Sequence, residues 1–480
     1  MHKTKKIVFI VPPSKASVLK FVSYQQPINL AYLAAAVVKV GFTAEIWDYS
    51  IEQFAENSFV SRIKWSEPFA IGIHCKTFNI SQGNYLAGIV KKHFQEITTM
   101  VGGPHSSALP VETLKEFMSF DIVVVGEGES TIADLCDSIS TGGGLENVKG
   151  IAFLCGKESV LTEKRELVKD LDEIDYPARY LLKKNLCSRQ HPTRGISPSN
   201  HNVTEIFTSR GCPGKCIFCA VNIAYGKCVR LRTVDNVQGE VSECISRYGY
   251  DHIVIQDDTF TLNKARVSGI LDGFRRLGLR SWSCDSRVDT VDKEMLKEMA
   301  SSGCKKISFG VESGSDRMLK LIKKNITVEQ VMLVVEWAKN ANIGIVECTF
   351  IIGSHPDETY EDLRDTWRLI KKISPDMIAV SVIVPYPGTE VFKLMEERGY
   401  INNKNWDDFQ MIGTKPGWHT ANFSSNELIR LQRKFINQYY FSPGNLIKKI
   451  ASIKSAEEAR YLFRTGLEYV RFMIKNKIGN

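Results

Sequence analysis

The run Ser209-Arg210-Gly211-Cys212-Pro213-Gly214-Lys215-Cys216-Ile217-Phe218-Cys219 sets three thiols in one glycine-punctuated turn with the spacing C-x3-C-x2-C. Three soft thiolates suit an iron–sulfur cluster, whose cube normally takes four protein ligands. The turn offers no fourth, so one iron would stay open to a nitrogen and oxygen ligand. A zinc site is the competing assignment and requires a fourth ligand. Cys228 stands nearby, but a second C-x2-C half is absent. A purely structural cysteine cluster is the third possibility.

The same loop anchors the fold. Glu205–Gly211, leading into it, reads as a short β-branched strand, and the pattern recurs at Asp251–Asp258, Ser281–Arg287, Lys306–Ser313, Ile345–Gly353 and Met377–Pro385. Amphipathic helical patterns lie between them at Asp292–Ser302, Val328–Ala341 and Tyr360–Ile373. Repeated strand–helix units of this number predict a partial, open parallel (β/α)6 barrel, whose chemistry gathers at the carboxyl ends of its strands. The cysteines follow the first strand, where that rule puts them.

Upstream, strands are expected at Ile7–Val11, Ala44–Tyr49, Phe69–His74, Thr98–Gly103 and Ile122–Gly126, with helices at Ile28–Val40, Gln82–His93 and Ser130–Ser140. Such alternation predicts a doubly wound, Rossmann-like parallel sheet. Pro12-Pro13-Ser14, Gly102-Gly103-Pro104-His105 and Gly126-Glu127-Gly128-Glu129 follow three of its strands, and glycines there let backbone approach a large ligand. A phosphate loop is disfavoured, since no Gly-Lys-Ser/Thr follows and Glu127 and Glu129 would repel phosphate. The dinucleotide fingerprint is missing after the first strand. Residues 151–200 are irregular, with Leu171–Pro177 and the turn-rich Gly195–Asn200 reading as linker.

A chain of 480 residues implies two or three domains. Its 43% hydrophobic and 24% charged content is that of a globular protein, with no stretch approaching a membrane span. The start, Met-His-Lys-Thr-Lys-Lys, runs into a strand, so no secretory leader is expected. Twelve cysteines without disulfide rhythm point to a reducing cytoplasm. The net charge of +8 is concentrated in Ala421–Asn480, where eleven Lys and Arg face four Glu. That tail reads as helices mixing aromatics with basic residues, at Ile429–Phe435 and Tyr461–Met473. It suits either a helical cap on the barrel or peripheral contact with an anionic membrane. No nucleic-acid module is visible.

The cysteine loop, with Phe218 before its last cysteine, resembles the signature of the radical SAM enzymes. The match covers roughly residues 205–395 by pattern. The resemblance implies that Cys212, Cys216 and Cys219 hold a 4Fe-4S cluster whose open iron chelates S-adenosylmethionine. It further implies that the end of the second barrel strand, Gln256, Asp257 and Asp258, meets the methionine amino group. Glu312 would face the ribose hydroxyls, Lys324 the methionine carboxylate, and Gly353 the adenine. Solvated acidic residues and a helix-end lysine are the plain alternatives for these side chains. Tyr386, on the last strand end, is a candidate proton donor or substrate contact.

Residues 1–150, through Pro12, Gly102, Gly103, His105, Gly126, Glu127 and Gly128, resemble the cobalamin-binding domain found ahead of many radical SAM domains. The Asp-x-His-x-x-Gly run that supplies a cobalt histidine in some such domains is absent. His74 and His105 are equally readable as ordinary strand-end histidines. The implied organisation is a cobalamin-binding-like domain at 1–150, a linker at 151–200, the radical SAM barrel at 201–395 and a helical region at 396–480. The implied chemistry is cleavage of S-adenosylmethionine to a 5′-deoxyadenosyl radical and cobalamin-dependent methylation of an unactivated carbon. Alternatives are anaerobic oxidative ring closure or ring rearrangement and, in another class, a non-catalytic corrinoid or electron carrier. A methylthiotransferase is disfavoured by the lack of extra N-terminal cluster cysteines. Expected partners are a small, lipid-like or pigment substrate and a flavodoxin- or ferredoxin-type electron donor, with no nucleic acid. The expected location is cytoplasmic, with membrane association open.

Overall fold

The structure, a computed structural model, describes residues 5–13, 25–156, 158–183, 202–411 and 416–451, with isolated positions up to 467. The turn-rich Gly195–Asn200 and all but three positions of Tyr461–Met473 lie outside them. Strands β1 (Lys6–Val11), β2 (Thr43–Asp48), β3 (Ala70–His74), β4 (Thr98–Gly102) and β5 (Ile122–Val124) form a parallel sheet in the order β2-β1-β3-β4-β5. Helices Ile28–Lys39, Glu56–Ser66, Ile80–His93 and Glu129–Thr141 cross between strands or follow the last. Ile7, Val8, Phe9 and Ile10 are all buried, the continuous apolar run that a strand covered on both faces requires. The order reverses between β1 and β3, and ligands bind at the carboxyl edge of such a switch point.

The sheet continues past residue 150. A hairpin of β6 (Ile151–Cys155) and β7 (Glu158–Leu161) adds two antiparallel strands beside β5, making seven in all. All five residues of β6 are apolar but only Ile151, Ala152 and Phe153 are buried, and β7, at the edge, is half polar and unburied. Leu171–Leu181, read from sequence as linker, is likewise fastened to the barrel. Asp172 accepts from the Thr233 amide at 3.0 Å, Tyr176 donates to Asn236 O at 2.8 Å, and the fully buried Arg179 bonds Glu205 O at 2.8 Å and Glu240 at 2.6 Å. Charges that suggest a solvated linker are here helix caps and buried pairs.

The second sheet is built from β8 (Val203–Ile206), β11 (His252–Ile255), β12 (Ser281–Ser286), β13 (Cys304–Glu312), β14 (Ile345–Ile352) and β15 (Met377–Val382). They are parallel, in the order β15-β14-β13-β12-β11-β8, and β8 does not close on β15. This is the expected open six-stranded barrel. Helices Lys293–Ser301, Val328–Asn340 and Tyr360–Ile373 cover it, the last two starting in capping boxes from Thr327 and Thr359.

One expected strand is shorter than the sequence suggested. Glu205–Gly211 breaks after Ile206, and Ser209–Arg210 (β9) turns away to pair antiparallel with Arg230–Leu231 (β10). Helices Ser425–Tyr440 and Pro443–Ala451 follow the barrel, the first packing Leu428, Leu431, Phe435 and Tyr439 inward. Among the described residues no helix is long and apolar enough to cross a membrane.

The two sheets sit against each other through buried polar contacts. Thr204 donates to Gln26 at 2.8 Å, and Trp406 Nε1 donates to Glu116 at 2.8 Å. The carboxyl ends of both sheets thereby approach the cysteine loop.

Candidate active site at the barrel mouth

The cysteine loop is held at its base before it offers any chemistry. The buried Asp257, just past β11, accepts from the Thr208 amide at 2.6 Å and from the Thr208 and Ser209 hydroxyls at 2.5 and 2.6 Å. Three donors on one carboxylate fix the chain where it leaves β8. Gly211 then takes φ +91°, and a Cβ there would lie 2.5 Å from Cys228 O, so only glycine lets the two ends of the loop close.

Within the loop, the Gly214 amide points at Cys212 Sγ at 3.4 Å. A Cβ on Gly214 would sit 3.3 Å from Cys212 Sγ, 3.9 Å from Cys216 Sγ and 3.2 Å from Arg287 Nη1. Cys212 Sγ lies 3.6 Å from Thr259 Oγ1, and Cys216 Sγ 3.9 Å from Lys323 O. All three thiols are partly exposed and unbridged. Burial pushes Cys219 up to about 11 and raises Cys216, against which Lys324 and Arg287 pull downward. Among the described residues no three His, Cys, Asp or Glu side chains converge on a single-ion site. Three unbridged thiols on one loop, two of them beside a bare glycine, with a guanidinium and an ammonium nearby, fit an anionic multi-iron cluster bound as thiolates.

Glu312 and Lys324 meet at the neighbouring strand ends. Lys324 Nζ donates to Glu312 Oε1 at 2.8 Å, both side chains nearly buried, and Thr349 Oγ1 donates to Glu312 Oε2 at 3.4 Å. The β13–β14 register shifts between Gly310 and Glu312, and Glu312 takes φ +71°, a strained conformation for a non-glycine residue. A Cβ on Gly310 would lie 2.6 Å from Glu312 Oε1 and 2.8 Å from Lys324 Nζ, so the ion pair lies directly over this glycine. Arg287 Nη2 donates to Lys324 O at 2.9 Å and also grips Asp289, tying β12 to the same corner. Asp258 is pushed up to about 6, by burial first and then by Asp257.

Other residues singled out from the sequence lie elsewhere. The Asp257 carboxylate is taken up by the loop base, which leaves Gln256 and Asp258 at that strand end. Gly353 takes φ +73°, and a Cβ there would meet Leu428, Ile383 and Thr420, so it opens toward the C-terminal helix. Its amide donates to the buried Glu358 at 2.5 Å, a carboxyl that burial pushes up to about 8. Tyr386 is half-buried, its carbonyl accepting from the Thr389 amide at 3.2 Å, and burial pushes its phenol up to about 12.

On the N-terminal sheet, Pro12 ends β1 and is buried, and Gly102 ends β4. Gly103 takes φ +124°, and a Cβ there would lie 2.3 Å from Cys75 O, which makes glycine obligatory. His105 is buried, its ring 4.9 Å from that of Trp406, and its Nδ1 has no hydrogen-bond partner among the described residues. Burial pushes His105 and His74 each down to about 4, so both are neutral imidazoles at pH 7. Gly126 takes φ +76° and its amide donates to Ser107 Oγ at 2.9 Å, while Gly128 packs on Leu33. Strand ends nearly bare of side chains, with an unpartnered imidazole nitrogen beside them, fit a large ligand held mainly by backbone.

Glu127 departs from the expectation that it serves this ligand. Its carboxylate receives Arg210 at 3.0 Å and a two-pronged contact from Arg230 at 2.8 and 2.8 Å. Burial alone would raise it, but Arg230 and Arg210 outweigh that and hold it below the usual carboxylate range. Sequence reasoning passed over Arg210, Arg230 and the looping role of Asp257. The available signal was the arginine two residues ahead of the first cysteine.

The chain matches the B12 binding domain over residues 14–136 and the Radical SAM superfamily over residues 206–370. It is 32% identical over 450 residues to an uncharacterized methyltransferase of Pyrococcus horikoshii, covering 93% of this chain and 95% of that protein. It is 25% identical over 402 residues to the anaerobic magnesium-protoporphyrin IX monomethyl ester cyclase of Cereibacter sphaeroides, covering 82% of this chain and 64% of the cyclase. In fold it is similar to the cobalamin-dependent S-adenosylmethionine radical enzyme OxsB, solved with aqua-cobalamin and S-adenosylmethionine bound. The TM-score is 0.71 at 16% identity, over 98% of this chain and 72% of that one. The chain belongs to the cobalamin-dependent radical SAM family of enzymes.

Proposed function

We propose that the protein is a radical SAM methyltransferase that methylates an unactivated carbon of a small molecule, of pigment or lipid-like class. The observation that carries this reading is the placement of the three-thiol loop between two sheet edges, with Glu312 and Lys324 on one side and the bare strand ends of the B12 binding domain on the other. Bound together, a 4Fe-4S cluster, S-adenosylmethionine and cobalamin supply a carbon-centred radical and a transferable methyl group.

Cys212, Cys216 and Cys219 would hold the cluster. Glu312 and Lys324, with Gln256 and Asp258, would hold S-adenosylmethionine, the ion pair keeping each partner oriented before the ligand arrives. Pro12, Gly102, Gly103, His105 and Gly126 would hold the corrinoid. Tyr386, a phenol that keeps its proton at pH 7, would serve as a proton donor or substrate contact at the last strand end. Electrons would come from a flavodoxin- or ferredoxin-type donor.

Anaerobic reconstitution with iron, sulfide and hydroxocobalamin, then turnover with strong reductant and candidate pigments or lipids, tests the reading. A methylated product together with S-adenosylhomocysteine and 5′-deoxyadenosine is expected. Turnover that yields 5′-deoxyadenosine and an oxidised ring but no S-adenosylhomocysteine would instead assign the cyclase activity. Phe441, Leu446 and Ile447 are exposed beside the basic tail, which supports peripheral contact with an anionic membrane. Flotation with anionic liposomes should be lost when the chain is cut near Pro443, and equal flotation of both forms would sink that part.

A further inference from the structure

We propose that Glu127 and Glu129 form a clamp that positions the cysteine loop on the B12 binding domain, which makes Arg210 and Arg230 positioning residues for the cluster. The role in catalysis rests on the radical SAM reading; the contacts do not. Arg210 Nη1 donates to Glu127 at 3.0 Å and Nη2 to Glu129 at 2.5 Å. Arg230 binds both oxygens of Glu127 and also donates to Val168 O at 2.7 Å, while the Val168 amide donates back to Glu127 at 3.3 Å. Arg210 and Arg230 are direct partners across the β9–β10 ladder, so one carboxylate grips the chain where it enters the cysteine loop and where it leaves. The Arg210 guanidinium lies 5.7 Å from the Tyr32 ring of the N-terminal domain and 5.7 Å from that of Tyr225 beyond the cysteines.

A buried network of this kind is a poor way to gain stability, because desolvating two guanidinium groups and two carboxylates costs much of what their attraction returns. What it supplies is a single register, since forked donors on carboxylates tolerate little sliding. Domain docking has other supports in Gln26–Thr204 and Trp406–Glu116, so loosening the clamp should act locally on the loop.

The test uses the full chain, reconstituted anaerobically, as wild type, Glu129→Gln, Glu127→Gln with Glu129→Gln, and Arg210→Lys. In the double variant, amide exchange over residues 207–232 is expected to quicken about tenfold while β13 is unchanged. The change that S-adenosylmethionine makes in the electron paramagnetic resonance spectrum of the reduced cluster should broaden or vanish. Arg210→Lys, keeping charge without the fork, should fall between. If exchange in the loop and the spectrum stay as in wild type, or if all barrel strands quicken together, the clamp is overturned. Should the double variant fail to fold, Glu129→Gln alone, which leaves Arg210 on Glu127, decides by the same readouts. A wild type that releases no 5′-deoxyadenosine would refute the radical reading, while the exchange result would still judge the clamp.

Discussion

At the carboxyl ends of the N-terminal sheet the chain presents Pro12, Gly102, Gly103 and Gly126, whereas at those of the barrel it presents Asp257, Asp258, Arg287, Glu312 and Lys324. Both are parallel sheets with helices packed around them, yet one offers backbone and the other charge. A wide ligand needs room and open backbone amides, which glycines give. A zwitterionic cofactor and an anionic cluster need oriented ionic partners in a half-buried corner. The exceptions are instructive: Glu127 and Glu129, the acidic residues among the glycines, turn their charge toward the barrel and join the two edges.

This contrast can be broken one sheet at a time. The largest effect is expected from Cys212→Ala, Cys216→Ala or Cys219→Ala, each of which should abolish both cluster iron and 5′-deoxyadenosine formation, measured by iron analysis and product chromatography, while corrinoid binding persists. Gly103→Ala should do the reverse. Its new Cβ would press on a backbone oxygen at 2.3 Å in a left-handed conformation, costing about 3 kcal/mol in denaturant unfolding. Corrinoid should then be lost on desalting with cluster iron retained.

Gly310→Ala is the matching change in the barrel. The added methyl would push Glu312 from Lys324, and equilibrium binding of S-adenosylmethionine should weaken about tenfold with iron and corrinoid intact. If Gly103→Ala and Gly310→Ala each damaged both cofactors equally, the division between the two edges would fall.

The smallest expected effect is a pH dependence. Glu358 is raised by burial from 4.5 to about 8, so the folded chain holds a proton there that the unfolded chain releases. Its contribution to stability is full below about 4.5 and is lost as pH rises through about 8. Melting temperature should decline over that window, and Glu358→Gln should flatten the slope. A slope unchanged in the variant would place the titration elsewhere.

Much of this was legible in the chain itself. The strands at Ile7, Ala70, Met377 and their neighbours are short β-branched runs with no other way to bury their surface, and the spacing of the three cysteines, with the family resemblance, pointed to an iron–sulfur cluster. The edge hairpin Ile151–Leu161 was passed over although β6 is apolar throughout, because it is short and its partner β7, Glu-Ser-Val-Leu, is half polar and shows no alternation. Leu171–Leu181 was misread for the opposite reason: Asp172, Tyr176 and Arg179 look solvated until Thr233, Asn236 and Glu240 are brought to them.

Two sheets, the cysteine loop and the glycines that bare the N-terminal edge can be read from the order of residues, since they depend on local periodicity, spacing and the conformations only glycine adopts. The partners of the charges emerge only on folding. Asp257 locks the loop base, Glu312 holds Lys324, and Glu127 gathers Arg210 and Arg230 from about a hundred residues away. Such pairings are set by where folded surfaces meet, and Coulomb attraction at hydrogen-bond range leaves no periodic trace in the order of residues.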